Sequence, residues 1–187
     1  MANIAASETN KFVGISALKV VKGGFASGFT LATGAELVEI PVAEDGGFTY
    51  TGGEPSIEHY KIHGLSADWT SRTTPGETSV NLFIPSITKS LLQLFGFTVN
   101  DASSASGIDE HASGFIFAET SLSVNLGIVA FNDEGNKAFA IKAAKLGASI
   151  VFDEANSAKP VGISLTGSTS AGGDADAMGI FEIASGD

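Results

Sequence analysis

Apolar residues occupy every second position along several stretches of the chain, which is the pattern of a strand with one buried face. The longest of these stretches is Leu122 to Ala130, in which the even positions are apolar and most odd positions are small or polar. Shorter stretches with the same period occur at 17–21, 36–42, 48–51, 57–63, 79–84, 161–166 and 178–184. The pattern therefore predicts a mainly β protein.

One segment, residues 86–96, has helical spacing instead. Its apolar residues fall at i, i+4, i+7 and i+8 and so line one face of a helix. They are Ile87, Leu91, Leu94 and Phe95. Ser86 offers a hydroxyl for the N-cap, and Gly96 suits the position after the last turn. Because so short a helix is marginal alone in water, we predict a β-sandwich or a partly closed barrel with one flanking α-helix at about 86–96.

The remaining stretches divide into arms, loops and one ambiguous segment. Residues 1–10 are small and polar and predict an N-terminal arm, and the glycine-rich residues 22–34 predict a loop or a hairpin. The Pro-Gly of TTPGE predicts the turn of a hairpin over 66–85. Residues 98–114 lack any period and predict a long functional loop. Residues 137–152 combine alanines and lysines, which favour a helix, with an alternation that favours a strand, and we favour the strand.

Size and composition limit the kinds of protein this can be. At 187 residues the chain can bury one core, and we predict a single domain over 1–187. Its 21 acidic and 10 basic residues give a net charge of -11, which repels nucleic acids and anionic membranes. No apolar run is long enough to span a membrane, and the start MANIAASETNKF lacks the order of a secretion signal, so we expect the mature protein to be the whole chain. Without cysteine there is no disulfide, thiolate ligand or thiol nucleophile.

Motifs for catalysis and for metal binding are weak. His59 and His63 would share one face of a strand, with Asp68 following, but surface or interface imidazoles are the simpler interpretation. The segment DADAMG resembles part of a calcium loop and lacks the later acidic ligand. Trp69 is more typical of a core residue than of a sugar-stacking platform or an interface anchor. We therefore expect no enzyme, no cofactor and no metal site. The chain has 13 Phe but only 2 Tyr, which favours dry cores and interfaces over ligand recognition.

The order of these features resembles the tail tube, or major tail, proteins of long-tailed bacteriophages. The resemblance lies in the polar arm, the early strands with a long loop, the passage GFTYTGGEPSIEHYKIHGLSADW, the passage TPGETSVNLFIPS leading into a single helix, and the strand-rich C-terminal half. It covers most of the chain as a pattern and includes no short diagnostic motif.

The resemblance implies a virion structural protein, made in the host bacterial cytoplasm, that forms six-membered rings stacked into a tube. Its partners would be copies of itself and other phage tail proteins, and DNA would pass along an acidic lumen without specific binding. The N-terminal arm at 1–10 and the loops at 22–34 and 98–114 would bind neighbouring subunits. The interface candidates are Phe12, Phe25, Phe29, Leu31, Ile108, Phe115 and Phe117. The lysines Lys137, Lys142 and Lys145 do not suit an acidic wall, so we expect them to face outward or to bridge to acids of a neighbour.

Two other classes remain open at this point. A capsid decoration protein or another virion structural protein would share the composition and the tendency to assemble. A carbohydrate-binding β-sandwich module would place exposed aromatic side chains near Trp69. Microscopy of the purified protein separates the first class from a tube protein, and fluorescence titration with glycans separates the second.

Overall fold

A computed structural model of the protein describes residues 14–41, 47–64, 70–103, 105, 107–109, 111–118, 122–152, 161–170 and 176–183. The strands are β1 (Ala17–Lys22), β2 (Val38–Ile40), β3 (Phe48–Thr51), β4 (Ser56–Tyr60), β5 (Thr70–Thr74), β6 (Ser79–Ile84), β7 (Thr98–Ala102), β8 (Gly114–Ala118), β9 (Leu122–Phe131), β10 (Lys137–Val151), β11 (Gly162–Thr169) and β12 (Met178–Glu182), and the helix is α1 (Lys89–Leu94). The prediction of a mainly β protein with one helix is confirmed.

Most strands belong to one antiparallel sheet in the order β2-β1-β9-β10-β11-β6-β3. β12 and β11 share one edge of β10. β12 pairs with residues 137–141 of β10, and β11 pairs with residues 144–151 of β10. The remaining strands form two separate hairpins, β4–β5 and β7–β8. β2 and β3 follow each other in the chain but lie at opposite ends of the sheet order.

The sheet is strongly curled around a single main core. Tyr50 on β3 and Phe139 on β10 have ring centroids only 5.6 Å apart. In a flat sheet the two strands would be about 14 Å apart, because two other strands lie between them. Ile40 and Phe48, from the two ends of the sheet, also pack in this core. Among the described residues the two end strands do not pair with each other, so the sheet does not close into a barrel and the architecture is sandwich-like.

The segment that was ambiguous in the sequence is the long central strand β10, which confirms the strand interpretation. Its register against β9 shifts between Ile141 and Ala144, so β10 has one extra residue opposite Gly127. Both Ile141 and Ala144 are fully buried in the main core. The bulge therefore keeps one face of β10 on the core although the alternation of the sequence changes parity there.

The helix is shorter than predicted and begins two residues later than expected. Thr88, and not Ser86, is the N-cap, and its side-chain oxygen accepts a hydrogen bond from the Leu91 N–H at 3.3 Å. Ile87 precedes the cap and Leu92 occupies the fourth helical position, which are the two positions of a hydrophobic staple, and both pack in the main core. Thr88 still has an extended backbone, with φ -123° and ψ 156°, so the helix begins only after Ile87. Gly96 has a φ of +89°, as predicted for the residue after the helix.

A second, smaller cluster lies on the opposite face of the sheet. It contains Val21, Phe25, Val129, Ala138 and Ala140. The predicted loop at 22–34 folds over this face and includes a short 3-10 turn at Ser27–Phe29. The loop is thus confirmed, and part of it packs within the chain.

Two predicted boundaries were wrong. The Pro-Gly of TTPGE is not a hairpin turn, because β5 and β6, which flank it, do not pair with each other. β5 pairs with β4, and β6 pairs with β3 and β11. The stretch 98–114 is not loop throughout, because Thr98–Ala102 pairs with Gly114–Ala118. Val99 on β7 and Phe115 on β8 pack against the main core, and this burial favours the strands although residues 98–114 are mostly polar or small.

Candidate assembly surfaces

The β4–β5 hairpin, which we call the arm, projects from the rest of the protein. Among the described residues, its strands pair only with each other. Every residue of both strands is exposed, and none belongs to either hydrophobic cluster. A two-stranded hairpin without a covering layer is at best marginally stable in water. We therefore expect the arm to become more stable when another surface covers it.

The two faces of the arm differ in chemistry. On one face Glu58 lies directly opposite Arg72 in the register, and the Tyr60 hydroxyl donates a hydrogen bond to the Glu58 carboxylate at 2.8 Å. This hydrogen bond raises the pKa of Tyr60 above its usual value. On the other face Ile57 is 56% exposed. The arm thus has one polar face, stabilised by contacts between its own side chains, and on the other face an apolar side chain available for contact.

Aromatic residues of the 22–34 loop meet the last strand of the sheet. The Phe29 ring lies 5.7 Å from that of Phe25 and 5.1 Å from that of Phe181 on β12. Phe29 has a φ of +60°, which is an uncommon conformation for a bulky residue. Phe181 remains 40% exposed and Leu31 is 43% exposed. The loop and β12 together form an apolar surface on the sheet face opposite the main core.

An ion pair fastens this loop to the sheet. The Lys142 ammonium donates to the Asp176 carboxylate at 2.6 Å, and the Gly28 N–H donates to the same carboxylate at 2.9 Å. These donors, Lys142 first, hold the pKa of Asp176 below its usual value. The backbone of Lys142 adds two hydrogen bonds, since its N–H donates to the Ala177 carbonyl and its carbonyl accepts from the Phe25 N–H, each at 2.9 Å. The bulged residue Lys142 is therefore a junction between the loop and the segment leading into β12.

The β7–β8 hairpin forms a third surface, beside the helix. Phe115 is partly buried against the main core, whereas Phe117 is 37% exposed, and their ring centroids are 6.3 Å apart. Lys89 of α1 donates to both carboxylate oxygens of Asp101 at 2.6 and 2.7 Å and so ties the helix to β7. Ile108, in the connection between the two strands, is 86% exposed. This hairpin combines an anchored base with an exposed apolar tip.

The residues predicted from the sequence as interface candidates fall into two separate groups. Phe25, Phe29 and Leu31 lie together at the loop, and Phe25 is nearly buried within its own chain. The second group, on and between β7 and β8, consists of Ile108, Phe115 and Phe117. Phe12, the N-terminal arm at 1–10 and Trp69 lie outside the described residues. Of the three lysines set apart in the sequence, Lys142 pairs with an acid of its own chain.

Sequence reasoning missed the arm and the aromatic contribution of β12. A signal for the arm was present, because Gly52-Gly53 and Pro55 precede it and Pro75-Gly76 follows it, which marks two interruptions of the strand pattern. Phe181 gave no such signal, since its pairing with Phe29 joins residues far apart in the chain.

The described residues contain neither a metal-binding cluster nor a membrane-spanning helix. No group of three or more His, Asp or Glu side chains in this part of the chain is placed to hold a metal ion. Within the same residues, no helix has the length and apolar character needed to cross a membrane.

The chain was compared with protein families, with curated proteins and with solved structures. No protein-family model matches the chain, and no curated protein matches it. Among solved structures, the chain is similar to a chain of the cryo-EM structure of the anti-feeding prophage (AFP) baseplate, 6-fold symmetrised, with 12% sequence identity, a TM-score of 0.40 and coverage of 97% of both chains. A similarity of that size leaves the family and the function of the chain open.

Proposed function

We propose that the protein is a structural subunit that assembles with copies of itself, and that the assembly is a tube of stacked six-membered rings, as in the tails of long-tailed bacteriophages. The observation that carries this proposal is the arm. A hairpin whose strands are exposed on both faces is a poor monomer element and a suitable assembly element, because a neighbouring copy can supply the missing layer.

The sheet edges support the same proposal. Among the described residues β2 pairs only with β1, and β3 pairs only with β6. Exposed edges carry unpaired N–H and C=O groups that invite uncontrolled association, and a ring in which each subunit covers its neighbour removes them. The interface between subunits is then heterologous, and it closes because the rotation closes.

The charge of the chain suits a conduit. A net charge of -11 on each copy gives an assembled tube a negative field. DNA carries one negative charge per about 1.7 Å of helix axis, so such a wall does not retain it. In this proposal the protein is not an enzyme: it guides DNA during ejection, and its direct partners are other copies of itself and neighbouring tail proteins.

The experiment is mass measurement by light scattering over a range of concentrations, combined with negative-stain microscopy. We expect rings of six times the 19.0 kDa chain and tubes at higher concentration. The variant Ile57→Ser removes the exposed apolar side chain of the arm and is expected to stay folded and monomeric. Val161→Ser, at a position that is 41% exposed and away from the arm, is the matched control and is expected to assemble normally.

A particle that stays monomeric at every concentration refutes the proposal. Closed trimers without tubes favour a capsid decoration protein instead. Normal tubes from Ile57→Ser remove the arm from the interface.

A further inference from the structure

We infer that Gly53 and Gly76 form a steric neck that fixes the direction in which the arm leaves the sheet, so that the arm is presented for docking on a second copy. The docking part of this inference rests on the proposed function, whereas the neck itself is a property of the single chain. The two glycines lie at the base of the arm, one in each of the chain segments that join it to the sheet.

The neck is an interruption in an otherwise continuous pair of strands. β3 and β6 pair as far as Thr51 opposite Ser79, and pairing resumes in the arm at Ser56 opposite Thr74. Residues 52–55 and 75–78 lie between and belong to no strand. The arm is therefore an extension of the β3–β6 hairpin, separated from it by a break in the ladder.

At this break the two backbones lie too close together for side chains. A Cβ on Gly53 would overlap the carbonyl group of Gly76 and lie 2.8 Å from the Glu77 nitrogen. A Cβ on Gly76 would lie 2.5 Å from the Glu54 nitrogen and 2.6 Å from the Gly53 carbonyl carbon. These neighbours are backbone atoms, so no change of rotamer relieves the overlap. Either substitution forces the two chain segments apart.

Neither glycine is required by its backbone conformation. The glycines with positive φ are elsewhere, and Gly53 and Gly76 are not among them. Alanine is therefore compatible with the local φ at both positions, and the crossing alone excludes it. This distinguishes a steric neck from a flexible hinge, which would use glycine for conformational freedom.

The neck is stiffened on both sides. Pro55 and Pro75 fix one φ each, in opposite segments. On the sheet side, the Thr78 and Thr169 hydroxyls are hydrogen-bonded at 2.8 Å, and the Thr169 N–H donates to the Thr78 hydroxyl at 3.1 Å. This attaches the end of the neck to β11. The close contact at Gly53 and Gly76 therefore fixes the orientation of the arm relative to the sheet.

The test uses the absence of cysteine in the chain, which allows two spin labels to be placed at chosen sites. Ser71→Cys lies on the exposed arm and Thr166→Cys on the exposed side of β11. We expect a narrow distance distribution between the labels in the otherwise unchanged protein, measured by pulsed electron paramagnetic resonance. Gly53→Ala and Gly76→Ala, each in this background, are expected to shift the distribution. Gly52→Ala is the matched control, because its Cβ would meet only the Tyr50 hydroxyl at 3.8 Å.

The same glycine variants, without labels, are then tested for assembly. We expect Gly53→Ala and Gly76→Ala to raise the concentration needed for assembly at least about tenfold, which corresponds to about 1.4 kcal/mol. Gly52→Ala is expected to assemble like the unchanged protein.

Each outcome decides the inference or the proposed function. Unchanged label distances in Gly53→Ala and Gly76→Ala overturn the neck. Loss of the folded state in these variants, seen by circular dichroism, also overturns it, because the crossing would then be a requirement of the sheet and not of the arm. If the unchanged protein never assembles, the proposed function fails, and the label distances still decide whether the neck exists.

Discussion

Gly127 offers the sharpest test of how the two faces of the sheet are packed. It lies on β9 opposite the bulge of β10, and a Cβ there would lie 2.5 Å from Cδ2 of Phe25 and 2.7 Å from Cγ1 of Val21. Carbon atoms in favourable contact are about 3.5–4.0 Å apart, so Gly127→Ala demands a movement of about 1 Å. The Phe25 N–H donates to the Lys142 carbonyl at 2.9 Å, which holds the backbone, and the Phe25 ring packs against that of Phe29 with centroids 5.7 Å apart, which limits the movement of the ring.

The expected cost follows from two opposing effects. Overpacking of a well-packed site costs about 1–3 kcal/mol. Alanine in place of glycine within a strand recovers about 0.5–1 kcal/mol. The difference is about 0–2.5 kcal/mol. Because the methyl group would overlap both Phe25 and Val21, we expect Gly127→Ala to fall in the upper part of this range and to lower the free energy of unfolding by about 1–2 kcal/mol. For a chain of this size this corresponds to a fall in Tm of about 2–8 °C.

Urea unfolding followed by circular dichroism measures this change, with an unchanged m-value as the sign that only stability has altered. Gly114→Ala is the control, because nothing lies within 4 Å of a Cβ there and its φ is not positive. The double variant Gly127→Ala with Phe25→Leu should be more stable than the sum of the two single effects, since the smaller side chain makes room for the methyl group. Strict additivity, or a Gly127→Ala variant as stable as the unchanged protein, would refute the packing described for this site.

Three further predictions concern the ion pair of the loop, the main core and the charge of the assembly. Because the folded state lowers the pKa of Asp176 below 3.8, its contribution is present at neutral pH and is lost as the pH falls through that lowered value. Asp176→Asn should therefore lower Tm at pH 7, and this loss should shrink as the pH is lowered, whereas a loss of the same size at every pH would contradict the ion pair. Ile141→Ala, at a fully buried position, should cost about 2–5 kcal/mol in urea unfolding, and a loss below about 1 kcal/mol would mean that the site is not tightly packed. Since each copy has a net charge of -11, the concentration needed for assembly should fall as ionic strength rises from about 0.01 M to about 0.15 M, and a rise would point to attractive ion pairs at the interface.

The separate roles of the aromatic residues explain why interface prediction from the sequence has a limit. Phe25 and Phe29 are four residues apart in one glycine-rich loop and look equivalent there. In the structure Phe25 fills the space above Gly127, and Phe29 extends to Phe181 on the last strand. Which of them is buried depends on a bulge in a distant strand, and no local pattern contains that information.

The order of apolar and polar residues by itself determined most of the strands, β7 and β8 excepted, and where the single helix ends, because side chains alternate along a strand and recur every 3.6 residues in a helix. It also determined the acidic charge and the absence of cysteine chemistry. Only the tertiary structure decided that β2 and β3 lie at opposite ends of one curled sheet, that β4 and β5 stand apart as an arm, and that Gly53 and Gly76 cross at its base. These features depend on strand pairing and on close contacts between segments that are distant in the chain. Such contacts are selected by the burial of the whole core and not by the local period of the sequence.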